Sequence, residues 1–101
     1  MAQLKVYWTL TAIKQRNHIF AYWNKRNKSS TYSQKLRLGI KERINLIKDN
    51  PEIGKPTELN FIRGLSLGHY SILYKQQESR IYIVGFWDNR QDPSKLFMIL
   101  K

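Results

Sequence analysis

The chain has no cysteine, which excludes disulfide bridges and thiolate metal sites and agrees with a reducing compartment. Long apolar runs are missing too. No window reaches the roughly 20 apolar residues that a membrane-spanning helix needs, and the opening residues do not place a long apolar segment behind a basic one, as a secretory leader does. We therefore expect a cytoplasmic protein with no membrane partner. Three prolines and five glycines form no tract of the kind that keeps a chain disordered. No glycine-rich strand-to-helix turn ends in Lys-Ser or Lys-Thr, so no nucleotide cofactor is expected; a small-molecule substrate is not expected either. The two histidines, His18 and His69, stand far apart in a chain without cysteine, and no metal site is expected.

Acidic residues are scarce as well: seven against 18 Lys and Arg, for a net charge of +11. The imbalance is uneven. Residues 1–50 hold eleven Lys and Arg against two acids, whereas residues 51–101 hold seven against five. A field of this sign favours a polyanionic partner such as nucleic acid, the ribosome or an acidic protein segment. Lysine-rich solvated helix faces offer the plainer reading, solubility alone.

What is present suits one α+β domain over residues 1–101, with 42% hydrophobic residues available for a core. The aromatic and β-branched run within residues 4–10 predicts a strand. Thr9 or Thr11 is placed to cap a helix over about 12–27, with Ile13, Arg16, Ile19, Phe20 and Trp23 at helical spacing and Lys14, Gln15, Lys25 and Arg26 on the wet side. After Lys28-Ser29-Ser30, Thr31 and Gln34 match a capping box. A second helix then carries Leu36, Ile40, Ile44 and Ile47 as one stripe and stops at Asn50-Pro51. The helical hairpin thus spans about 12–49.

Residues 52–60 read as a loop. Three antiparallel strands are predicted over about 61–67, 70–76 and 80–87, with turns at Gly68-His69 and Gln77-Glu78-Ser79. In the last of these Ile81 and Ile83 alternate with Tyr82, Val84 and Phe86, so both faces are apolar and the strand is expected to be covered on both sides or central. Residues 97–100 are expected to add a short strand or dock on the core. The predicted order is β-α-α-β-β-β, a helical hairpin packed on one antiparallel sheet.

This order, with Asn50-Pro51, Gly54-Lys55-Pro56, Arg63-Gly64-Leu65, Gly68-x-Tyr70-x-Ile72-x-Tyr74 and Arg90-x-Asp92-Pro93, resembles the RelE/ParE superfamily of toxins from type II toxin-antitoxin modules, over roughly residues 4–96. The resemblance implies a bacterial toxin neutralised by a cognate antitoxin whose acidic or amphipathic tail wraps it. RelE-like members are ribosome-dependent endoribonucleases that cut mRNA; ParE-like members are generally linked to inhibition of DNA gyrase. An attacking 2′-hydroxyl needs a group to take its proton, a donor to the leaving oxygen and cations on the phosphate. Ser71 falls where RelE-like nucleases commonly place a phosphate-binding arginine. The end of the chain also lacks the Tyr or His such nucleases often carry. The resemblance therefore leans to ParE-like members, with gyrase and an antitoxin as partners. The alternatives are a ribonuclease using Arg63, His69 and Arg90 on ribosome-bound mRNA, and an inactive member retained as a binding module.

Arg63, His69, Tyr74, Trp87, Arg90 and Asp92 are the candidate target- or antitoxin-binding residues. Each has a structural reading beside the functional one. Arg63 can grip an anionic target or pair with Asp88 or Asp92. Arg90-x-Asp92-Pro93 can be working surface or a self-contained turn, because Asp accepts from nearby backbone amides. His69 has the pKa range of a general base, yet a lone turn histidine is commonly incidental. Tyr70, Tyr74, Tyr82 and Trp87 interleave with basic residues as base-stacking surfaces do, and strand aromatics equally fill cores.

Overall fold

The computed structural model describes residues 4–59, 61–92 and 94–95. Its first strand, β1 (Lys5–Trp8), passes directly into helix α1 (Leu10–Asn27) through Thr9. The Thr9 hydroxyl accepts from the Ala12 amide at 3.2 Å and donates to the Ile83 carbonyl at 3.1 Å, so one side chain caps the helix and ties it to the sheet. Helix α1 ends on Lys28 in the left-handed conformation, with Lys25 and Arg26 in its last turn where the helix dipole favours cations.

Helix α2 (Thr31–Asp49) follows at once. Its cap is Ser30, one residue before the expected Thr31, and Gln34 reaches the Ser30 hydroxyl at 3.0 Å instead of a backbone amide. Leu36, Ile40 and Ile47 of the predicted stripe are buried, and Ile44 packs against them. They meet Phe20 and Ala12 of α1 over one face of the sheet.

The sheet has five strands: β1, a two-residue β2 (Lys55–Pro56), β3 (Arg63–Leu67), β4 (Tyr70–Gln77) and β5 (Arg80–Asp88), in the order β1-β5-β4-β3-β2. The β3-β4-β5 meander is antiparallel as expected. The first strand is not. It is shorter than the predicted 4–10 and pairs parallel to β5, Val6 opposite Ile81 and Trp8 opposite Ile83, which makes the sheet mixed. A parallel pair needs a long connection between its strands, and the helical hairpin with the meander supplies it. Strand β5, flanked by β1 and β4, is central, which accounts for its two apolar faces.

A bulge changes the face of the residues beyond it. Leu73 pairs with Gly85 but Tyr74 pairs with Ile83, so Val84 is an extra residue in β5. An extra residue reverses the alternation beyond it. Phe86 therefore joins Ile81 and Ile83 in the helix-side core, contrary to its predicted position with Tyr82 and Val84, while Val84 and Trp87 pack with Leu73 on the outer face. Beyond Ile83 no β1 residue runs beside β5, and there the Phe86 amide donates to Gln15 Oε1 at 2.9 Å. Gln15, expected on the wet side of α1, completes the sheet.

The segment expected as a loop at 52–60 contributes β2, with Pro56 on the outermost strand, where a missing amide donor is tolerated. Strand β3 begins two residues later than predicted; Phe61 precedes it at positive φ with its side chain 86% exposed. Residues 97–100, expected as a strand or a docked segment, lie outside the described residues. Among the described residues no helix is long and apolar enough to cross a membrane.

Candidate functional site

Strand β4 carries a side chain that closes one end of the molecule. Tyr74, 1% exposed, donates its hydroxyl to the Pro51 carbonyl at 2.8 Å and accepts from the Gly54 amide at 2.8 Å. Burial raises its pKa above the ordinary phenol value, against the opposing effect of the Gly54 amide. Arg63, opposite Tyr74 in the register, donates to the Gly54 carbonyl at 2.8 Å and to the Glu52 carbonyl at 3.3 Å. The two side chains together hold the 51–54 segment from both sides. A Cβ at Gly54 would fall 2.6 Å from the Tyr74 oxygen and 2.8 Å from its ring, so only glycine fits against the fixed tyrosine. The hollow beside them, about 400 Å³, is lined by Pro51, Glu52, Phe61 and Arg63 among others. Arg63 thus bonds backbone carbonyls, not the Asp88 or Asp92 suggested by sequence.

The far end of β4 carries a second group. Arg90 forms a two-pronged ion pair with Asp88, at 2.9 Å to Oδ1 and 2.8 Å to Oδ2, while its amide also bonds Asp88 Oδ1. Hydrogen bonding from Arg90 holds the Asp88 carboxyl below its ordinary range, and His69 adds to the effect. His69 is exposed in the β3-β4 turn, beside Gly68 at φ 60°, and its carbonyl accepts from the Asn89 amide at 2.8 Å. Asp92 accepts from the Ser94 amide at 3.0 Å, a local turn closed on itself. A depressed carboxyl pKa stabilises the fold above the unfolded value and loses that contribution as pH falls through the folded one. In Arg90→Ala the Asp88 titration midpoint, followed by carboxyl-carbon NMR, is expected to rise toward 3.8. An unchanged midpoint would show that Arg90 is not the cause.

These two ends do not form one groove. Arg63 is level with Tyr74 and Asp88 with Tyr70, four residues apart along β4, which at about 3.3 Å per residue is ~13 Å. Arg63 and Arg90 thus stand at different ends of β4, each bonded to its own local partner, with His69 at the Arg90 end. Tyr74 and Trp87 are also on opposite faces: Tyr74 lies in the helix-side core, whereas Trp87 is 9% exposed in the outer cluster.

Between the two ends, the outer face of the sheet carries a groove of about 250 Å³ whose lining includes Lys55, Ser66, Ser71, Leu73, Trp87 and Asn89. The Ser71 hydroxyl donates to Asn89 Oδ1 at 2.8 Å. Lys55 is the one ionisable side chain among the described residues of the lining. The groove can therefore hold a partner by shape and neutral hydrogen bonds, with Lys55 as the cation of its described lining. Among the described residues no three His, Asp or Glu side chains come together to hold a metal.

Sequence reasoning missed Gln15, whose spacing placed it in solvent, and missed Ser71-Asn89 as a pair. Gly85, an isolated glycine in an apolar strand, was the available sign of the bulge.

A helical hairpin packed on a mixed five-stranded sheet is consistent with the RelE/ParE fold. The model of the family described as the ParE toxin of the type II toxin-antitoxin system parDE matches residues 6–93. The chain belongs to this ParE toxin family. Its fold is similar to a chain in the solved structure of the chromosomal ParDE TA system from P. aeruginosa, with a TM-score of 0.71 and 19% identity over 83% of this chain and 94% of that one. No curated relative matches.

Proposed function

We propose that this toxin acts by binding, with DNA gyrase as its target, and that a cognate antitoxin neutralises it. The observation that carries this reading is the outer groove: Ser71 bonds to Asn89 where a nuclease needs a cation, and Lys55 supplies the groove's one charge. A phosphate gathering charge during cleavage calls for several preorganised donors or cations. The separation of Arg63 from Arg90 points the same way. Linkage to gyrase comes from ParE-like toxins in general, and the basic half of the chain suits an antitoxin with an acidic tail.

Within this reading the candidate residues divide by placement. Exposed His69, Arg90 and Asp92 form the contact edge, Arg63 and Tyr74 fix the loop at the other end of β4, and Trp87 lines the groove between them. Expression without antitoxin is expected to arrest growth with gyrase trapped on DNA and with transcripts intact. Translation-dependent mRNA cuts, lost in Arg90→Ala, would instead establish the ribonuclease. Normal growth at full expression would leave a binding module without toxicity.

A further inference from the structure

The outer face of the sheet carries a second feature, at the opposite end of β5 from the groove. Parallel pairing sets Lys5 opposite Arg80 and Tyr7 opposite Tyr82, and antiparallel pairing sets Lys75 opposite Tyr82. Directly paired residues share a face. Three adjacent strands thus bring two tyrosines and three cations to one patch, while the alternate residues Val6, Trp8, Ile81 and Ile83 turn to the helix-side core.

The arrangement is built, not loose. Tyr7 and Tyr82 stack with ring centroids 5.7 Å apart at 28°. Lys75 Nζ lies 5.8 Å from the centre of the Tyr82 ring. Arg80 is close enough to Tyr82 and Tyr7 for the two phenols to raise its pKa. Tyr7 remains 43% exposed on a strand whose one partner among the described residues is β5. Glu78, in the turn before Arg80, forms no ion pair with Lys5, Lys75 or Arg80 among the described residues. The cations are thus available, and the ring they surround is preorganised by its neighbour.

We propose that this patch, Lys5, Tyr7, Lys75, Arg80 and Tyr82, binds single-stranded nucleic acid, with a base stacked on Tyr7 and the cations on the flanking phosphates. Every base offers a π-face, and a cationic surface with exposed aromatics takes both halves of a nucleotide. An acidic peptide would use the cations and leave the stacked rings idle. A duplex would engage the phosphate sites alone, because its bases are already stacked. The patch shares no residue with the lining of the Ser71 groove, and the proposal does not depend on the gyrase reading.

The basic helices will also attract polyanions, so the decisive change must leave charge untouched. Fluorescence anisotropy with labelled oligo-dT and oligo-U, on the full chain, is expected to show about tenfold weaker binding in Tyr7→Ala. Tyr7→Val, which exchanges one good strand former for another in the edge strand, should show the same loss with an unchanged circular dichroism melt. Tyr22→Ala removes an aromatic of similar exposure from α1 and is expected to bind as the parent does. Lys75→Ala should reduce the slope of log affinity against log salt by about 0.7. Tighter binding of either oligonucleotide than of duplex supports the proposal. It is overturned if Tyr7→Val binds like the parent, if duplex binds equally well, or if an Asp/Glu-rich peptide competes and shows the same Tyr7 dependence.

Discussion

Tyr74→Phe is expected to lower stability by about 2 kcal/mol, a large effect for the loss of one oxygen. The substitution leaves no cavity, because the ring is retained. It removes two hydrogen bonds, one to the Pro51 carbonyl and one from the Gly54 amide, and strands a buried donor. An unsatisfied buried polar group costs on the order of 1–3 kcal/mol. For a chain of this length 2 kcal/mol corresponds to a fall in melting temperature of about 10 °C. The comparison is Tyr70→Phe, which loses one hydrogen bond rather than two, that from Trp23 Nε1 at 2.6 Å; its loss should be smaller. A pH signature accompanies the prediction. The folded phenol of Tyr74 titrates above its ordinary value of 10.0, so its contribution is fully present below the unfolded value and disappears as pH rises through the folded one. Denaturant melts of the parent should weaken above about pH 10 more steeply than those of Tyr74→Phe. Equal stability of the two proteins at neutral pH would mean that the 51–54 loop is held by Arg63 alone.

Gln15→Leu is expected to cost about 1–2 kcal/mol although it exchanges a polar helix residue for an apolar one. The side-chain oxygen meets the Phe86 amide at 2.9 Å where β1 no longer accompanies β5. Leucine cannot accept that bond. Gly85 allows the approach, because a Cβ there would lie 3.3 Å from Gln15 Oε1 and 3.1 Å from Leu73. Hydrogen exchange offers a local readout: protection of the Phe86 amide should fall in Gln15→Leu by more than the global loss of stability explains. Retained protection would show that another acceptor replaces the side chain.

These two sites also show where sequence reading ends. The helical hairpin was legible because Leu36, Ile40, Ile44 and Ile47 recur at the helix period and because Thr9 and Asn50-Pro51 mark its limits by local chemistry. The meander was legible from Gly68-His69 and Gln77-Glu78-Ser79, which separate alternating segments. Strand direction was not, since alternation reads the same whichever way a neighbour runs, and β1 proved parallel to β5. The bulge at Val84 was hidden for a related reason: with apolar residues on both faces, a one-residue change of phase leaves the pattern looking unbroken. Phe86 therefore moved to the other face.

The candidate site was legible in its residues and less so in their partners. Arg63 was read against carboxylates because these can be found in a sequence, whereas the carbonyls it bonds, on Glu52 and Gly54, carry no side-chain signature. Arg90 and Asp88 are two residues apart and form the ion pair that Arg63 was considered for. Ser71, singled out because a serine cannot replace a phosphate-binding arginine, lies in a groove whose other lining is nearly uncharged.

The most direct test of this account is gyrase supercoiling with the purified toxin, run beside a translation reaction in which ribosome-bound mRNA is mapped for cuts. The toxin is expected to inhibit supercoiling, its cognate antitoxin to restore it, and the mRNA to stay whole. Unimpaired supercoiling with toxin in excess, together with mRNA cut only during translation, would contradict it.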